Sequence, residues 1–249
     1  MTGTVAQIWR HPIKSHGRES LDQVPLTAGR TMPWDRTWAV THENTKSDGT
    51  AWAPCANFSI GSRAPLLQAI VASLDEATGT VSLTHPDRPD LRFNPDTEQG
   101  RFLEWVGPLM PQGRAASTGI VRVPDRGMTD TDFPSVSLIN LASHRAFSQQ
   151  LEQDLSPLRW RGNFLIDALE PWEEFDWIGK RLRIGRAELT VRECIGRCLA
   201  TAANPQTGIR DVDTLKALRD GRGHTDFGVY GEVVVTGDIK VGDTLEVLS

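Results

Sequence analysis

The sequence predicts an α+β protein that is predominantly β. Two observations carry this reading: many short apolar or β-branched runs are cut by Gly, Pro, Asn and Asp, and only three stretches repeat apolar residues at helical spacing. Residues 5–9, 37–41, 80–84 and 119–123 read as strands, as do 181–184, 188–192 and 231–235. A first helix is expected over 63–74, where Leu67, Ile70, Val71 and Leu74 share a face. A second is expected over 140–155, capped by Asn140 and burying Leu141, Phe147 and Leu151. A third is expected over 211–220, with Asp211 as cap, Leu215 and Leu218 facing inward, and Gly221 and Gly223 as stops. Residues 84–98 are dense in turn formers, and a domain boundary is expected there, roughly within 85–118.

Composition excludes several classes. With 249 residues, 39% hydrophobic and 24% charged, the chain is long enough to bury one large core or two joined ones. A net charge of -5 gives no general attraction to nucleic acid or anionic lipid, although a local basic pocket still suits one small anion. No stretch approaches the roughly 20 apolar residues that span a bilayer, and the N-terminus lacks a signal-peptide pattern, so a cytoplasmic protein is expected. Three cysteines are too few and odd in number for a disulfide framework, which points to free thiols.

Two of those cysteines, Cys194 and Cys198, stand in the run VRECIGRCLATAANPQTG, with Arg192 and Arg197 close enough to favour a thiolate. Ile195-Gly196 and the Thr and Pro that follow disfavour a long helix, so a loop or a single turn is expected. The residues alone leave several readings open: a metal ligand, a nucleophile, a redox pair, or two packing thiols. No second ligand pair accompanies them as structural zinc requires, and three intervening residues depart from the thioredoxin spacing of two.

Other segments narrow the choice. The cysteine run resembles that of MOSC-domain proteins, and FGVYGEVVV followed by GDIKVGD resembles that domain's closing strands. WRGNFLI resembles the family's Arg-Pro-Asn strand, with Gly162 where proline is usual. HPIKS and DRTWAV resemble the N-terminal β-barrel domain that precedes the MOSC domain in the amidoxime-reducing group and in bacterial reductases of N-hydroxylated compounds. The resemblance implies an N-terminal β-barrel domain over 1–95 packed on a β-rich MOSC domain over 96–249.

It also implies a molybdenum cofactor, a mononuclear molybdenum on a pyranopterin dithiolene, with Cys198 as catalytic metal ligand. Lys14, Ser15, Arg36, Ser143, Arg161 and Asn163 become the cofactor-binding candidates. Their chemistry suits a phosphorylated pterin. Lys14 is a compact cation beside a hydroxyl, Arg36 and Arg161 carry planar donor forks that match phosphate, and Ser143 adds helix-start donors. Cys194 is expected one turn from the ligand as a packing thiol. Binding of a pyridoxal-phosphate-like group is a further expectation of the resemblance.

The implied reaction is two-electron reduction of a small N-hydroxylated substrate. With no cluster-binding cysteines and no Gly-x-Gly-x-x-Gly fingerprint, electrons are expected from a separate ferredoxin- or cytochrome-type protein and its reductase. The alternative is a non-catalytic carrier of the cofactor or of sulfur on Cys198. Ala202 and Asn204 replace a threonine and an aspartate common in the family, which leaves the proton source unassigned.

Overall fold

The computed structural model describes residues 2–248. Along the chain the strands are β1 Thr2–Arg10, β2 Glu19–Leu21, β3 Gln23–Leu26, β4 Trp38–His42, β5 Val71–Asp75, β6 Thr80–His85 and β7 Arg88–Phe93. They continue as β8 Ser117–Arg122, β9 Val136–Asn140, β10 Phe164–Asp167, β11 Arg181–Ile184 and β12 Ala187–Gly196. The last three are β13 Asp226–Val235, β14 Gly237–Lys240 and β15 Thr244–Leu248. The α-helices are α1 Gln99–Val106, α2 Leu141–Gln150 and α3 Thr214–Arg222. The α+β, mainly β class is therefore observed.

Seven strands close into a barrel in the order β10-β9-β13-β12-β11-β15-β1, with β1 pairing back onto β10. Every pair in the ring is antiparallel except β9 and β10, which α2 joins as a crossover. Six of the seven strands follow residue 135, and β1 reaches over from the N-terminus to complete the ring. Closure leaves no edge within the ring and encloses an apolar core that includes Val5, Leu138, Phe164, Leu182, Val191 and Val229. A second core gathers Trp38, Leu67, Ile70, Leu83, Phe93 and Phe102 between β4-β8, β5-β6-β7 and α1. A third packs α2 and α3 on the barrel through Phe147, Leu218, Trp160 and Phe227.

Most expected elements are present, with three corrections. Over 63–74 there is no α-helix: a 3₁₀ turn at Pro65–Ala69 ends at Ile70, and β5 begins at Val71. Val71, Ala72, Ser73 and Leu74 alternate in burial as they pair with β6, so period two wins over the helical spacing of the same apolar residues. The turn-rich stretch 84–98 holds β7, and α1 follows at once. The cap of α3 is Asp213, which accepts from Lys216 N at 2.9 Å, whereas Asp211 faces Arg159 and Asn204. Asn140 does cap α2, accepting from the amides of Ala142 and Ser143, and that helix ends at Gln150.

Candidate active site

The cysteine run leaves β12 at Gly196 and is pinned at once. Arg197 donates from Nε to Phe227 O at 2.8 Å and from Nη1 to Trp160 O at 2.8 Å, with its guanidinium over the Trp160 ring. Cys198 follows in extended conformation at the start of a 3₁₀ turn, Leu199–Ala202. Its carbonyl accepts from Thr201 N at 3.1 Å and Thr201 Oγ1 at 3.0 Å, and Thr201 is buttressed by Thr214 Oγ1 at 2.6 Å. The backbone is held while the thiol itself stays exposed. Cys194 lies inside β12 rather than one helical turn away: with four residues of near-extended chain the two Cα atoms stand up to roughly 13 Å apart. Burial pushes the Cys194 thiol above its ordinary pKa, with the carboxylates of Asp226, Glu174 and Glu193 adding to the effect.

Cys198 opens onto a cleft of about 390 Å³. Lys14, Ser15 and Arg36 line it from the N-terminal half, and Arg161, Cys194 and Cys198 line it from the C-terminal half. Five cations face it, Lys14, Arg36, Arg159, Arg161 and Arg197, against two carboxylates, Asp130 and Glu193. Asp35 and Asp211 pair with Arg36 and Arg159 from outside the lining, and Asp130 pairs with Lys14, so among the described residues the uncompensated positive charge facing the cleft rests on Arg161 and Arg197.

The backbone at three of these positions is strained. Ser15, Arg36 and Arg161 adopt left-handed φ values of 63°, 52° and 51°, which side chains with a Cβ rarely take up. All three side chains line the cleft, and two of the conformations are held by main-chain bonds: Arg36 N donates to His11 O at 2.6 Å, and Arg161 N to Leu158 O at 3.1 Å.

Charge compensation is uneven. Arg36 pairs with Asp35, whose carboxylate is held far below its usual range by Arg36 and His11 against its own burial. Lys14 pairs with Asp130 and donates to Met128 O at 2.7 Å. Arg161 has no carboxylate partner among the described residues: its Nη1 donates to Gln68 Oε1 at 3.4 Å and its Nη2 to Gly17 O at 3.2 Å. It is open only toward the cleft, and burial, reinforced by Arg36 and Arg18, pulls its pKa down to about 9. A guanidinium depressed in this way is stabilised by an anion brought against it.

Two candidates do not reach the cleft. Ser143 is fully buried, donates to Glu174 Oε2 at 2.8 Å and accepts from Trp172 N at 2.7 Å, so the start of α2 already faces a carboxylate. Asn163 clamps strands: its Oδ1 accepts from Ser137 N at 3.1 Å and Ser137 Oγ at 2.8 Å, and its Nδ2 donates to Trp9 O at 3.1 Å. Asn204 closes its own turn, accepting from Gln206 N and donating to Asp211.

Sequence reasoning missed Asp130, Gln68 and Tyr230, all of which line the cleft. Tyr230 is the chain's one tyrosine and lies in the closing-strand motif, which was a usable signal. Its phenol is held in the protonated form by burial and by Asp130. Cys55 donates from Sγ to Asp130 at 3.0 Å, and burial with that carboxylate pushes its pKa up to about 11. Gln68 and Asp130 carried no local pattern.

Among the described residues, no group of three or more His, Cys, Asp or Glu side chains converges as a metal site. One open thiol beside a surplus of guanidinium groups fits an anion that brings its own metal ligands.

Fold and site together define a β-barrel protein with a cysteine-bearing anion cleft. Residues 2–118 match the model of the MOSC N-terminal beta barrel domain and residues 125–246 that of the MOSC domain, and the chain is a MOSC protein carrying both. It is similar to mitochondrial amidoxime-reducing component 1 of Danio rerio, 28% identical over 97% of this chain and 83% of that protein. The same component of Mus musculus is 24% identical over 99% of this chain and 82% of its own length. Molybdenum cofactor sulfurase 2 of Culex quinquefasciatus is 36% identical over 29% of this chain and 9% of that protein. No helix among the described residues is long and apolar enough to cross a membrane.

Proposed function

We propose that this chain binds a molybdenum cofactor and reduces small N-hydroxylated compounds. The observation that carries the reading is the exposed thiol of Cys198 above a cleft in which Arg161 has no carboxylate partner among the described residues. Arg161 and Arg36 offer donor forks to the cofactor phosphate, Lys14 adds a charge, and Ser15 adds a hydroxyl. Cys198 supplies a soft thiolate to the metal. When bound, the cofactor supplies the two-electron redox chemistry. In the net reaction the N–O bond breaks, two electrons and two protons enter, and water leaves. The electrons come from a separate ferredoxin- or cytochrome-type protein with its reductase. The names of the relatives support both the cofactor and the substrate class.

The test is expression in a host that makes the cofactor, followed by metal and pterin analysis and an amidoxime-reduction assay with a chemical reductant. Near-stoichiometric molybdenum and turnover are expected. Protein that folds in such a host yet contains neither molybdenum nor pterin refutes the reading. Exposure of Cys198 and the sulfurase similarity also favour a second reading, in which the thiol carries sulfur to another protein. A persulfide on Cys198 that transfers to an acceptor, with no turnover of amidoxime, selects it.

A further inference from the structure

Gln68 is a polar side chain with 2% exposure, set between the buried Leu67 and Ala69 in the turn Pro65–Ala69. Its carboxamide spans two parts of the site. Oε1 accepts from Arg161 Nη1 at 3.4 Å, and Nε2 donates to Ala200 O at 3.1 Å, inside the turn that Cys198 begins. Its main-chain oxygen accepts from Arg18 Nη1 at 2.7 Å, and the other arm of Arg18 reaches Pro205 O at 2.7 Å. Gly61 closes the remaining space: a Cβ there would stand 3.0 Å from Gln68 Nε2. The amide is thus held in one orientation, facing the guanidinium on one side and the cysteine turn on the other.

We infer that Gln68 is a positioning residue that couples anion occupancy at Arg161 to the reactivity of Cys198. This rests on the anion-site reading proposed above. Filling the same volume with leucine or methionine would avoid desolvating an amide, so the glutamine is accounted for by its two bonds rather than by packing. Its contact with Arg161 is at the long limit of a hydrogen bond, whereas that to Ala200 O is ordinary. An anion that draws Arg161 toward the cleft changes the weaker contact, and the amide transmits the shift to the Ala200 carbonyl, two residues from the thiol.

The experiment uses the full, cofactor-free chain with inorganic pyrophosphate as probe. Alkylation of Cys198 by iodoacetamide is timed by peptide mass spectrometry, so that Cys55 and Cys194 are counted separately. In the wild-type chain, pyrophosphate should change the Cys198 rate by about five-fold or more. In Gln68→Leu, calorimetry should still show pyrophosphate binding, but the rate should no longer respond. Gln68→Glu keeps an acceptor for Arg161 and loses the donor to Ala200 O. It should bind pyrophosphate more weakly and also lose the response, which keeps the test decisive if the leucine variant fails to fold.

A response that survives in either folded variant overturns the inference, since direct shielding of the thiol by the anion would then explain it. An unchanged rate in wild-type chain that does bind pyrophosphate overturns it as well, and leaves the anion site standing. Absence of pyrophosphate binding to the wild-type chain would remove the anion site and overturn the inference with it. A holoprotein preparation without molybdenum refutes the proposed function and leaves this result untouched.

Discussion

Arg36 Nη2 donates to the main-chain oxygen of Arg161 at 3.2 Å, so the two guanidinium-bearing residues are joined through backbone while their charges repel. Arg36 is neutralised by Asp35, and Arg161 has no carboxylate partner among the described residues. The two arginines should therefore differ in what they contribute to anion binding.

Arg161→Ala should weaken cofactor retention more than Arg36→Lys, because the first removes charge and donor fork while the second keeps the charge. A charge-assisted hydrogen bond to phosphate contributes on the order of 1.5–3 kcal/mol, so retention should fall roughly tenfold to over a hundredfold. Pterin fluorescence after gel filtration, beside circular dichroism, gives the comparison. Full pterin content in Arg161→Ala removes that residue from the phosphate clamp.

Cys198→Ser should lose most molybdenum and most activity, since serine is a poor ligand for a soft metal centre, while Cys194→Ser should keep the greater part of both. Cys194 sits within β12, with its thiol pushed toward the protonated form by burial and by Asp226, Glu174 and Glu193, which disfavours it as a substitute thiolate. Equal losses in metal content would show that the ligand has been misassigned.

What the sequence made legible depended on whether a residue's chemistry was tied to a local pattern. Cys198, Arg161 and Arg36 stood in ordered motifs, and the cleft brings them together. Asn163 stood in an equally good motif and Ser143 at a recognisable helix start, but the same amide and hydroxyl also serve strand clamping and burial against Glu174, and only the packed neighbours decide between those uses. Gln68 and Asp130 were invisible because their partners lie far away in sequence, 93 residues for Gln68 and Arg161 and 116 for Lys14 and Asp130. The barrel's closure through β1 and β10 is long-range in the same sense. Over 63–74, one set of apolar residues satisfied both periods, and pairing with β6 settled the matter.

Stability should fall on mild acidification, before carboxylates titrate. Burial, with Arg161 and Arg36 beside it, lowers the pKa of His11 from 6.5 to about 3 despite the Asp35 carboxylate 3.4 Å from its Nδ1. Burial lowers that of His16 from 6.5 to about 4, opposed by its bond to Lys14 O and aided by Arg161. Both imidazoles are neutral in the folded chain, so between pH 6.5 and these lower values the unfolded state binds more protons, and stability drops as pH falls through that window. His16 alone should cost about 2–3 kcal/mol by about pH 4.5. Urea midpoints at about pH 7 and about pH 5 should differ in that direction, and equal midpoints would contradict burial of neutral imidazoles.

Gly162→Pro, which restores the residue usual at this place in the family pattern, should destabilise this chain. A Cβ at 162 would stand 2.2 Å from Ile139 Cγ1, and Ile139 is fully buried in the core beneath α2 and α3. Proline also disfavours helical dihedrals in the residue before it, and here that residue is Arg161 at φ 51°, ψ 39°. The clash alone should cost about 1–3 kcal/mol, or roughly 2–12 °C in Tm for a domain of this size. The two causes separate in a double-mutant cycle. Ile139→Ala is itself destabilising, but adding Gly162→Pro to it should cost less than adding Gly162→Pro to the wild type, because the methylene in the way is gone. Pyrophosphate affinity should stay low in the double variant, since removing the clash does not restore the left-handed turn that aims Arg161 into the cleft. If Tm costs simply add, the contact between Gly162 and Ile139 is not what excludes proline. If affinity recovers together with Tm, the backbone at Arg161 is not what orients its guanidinium.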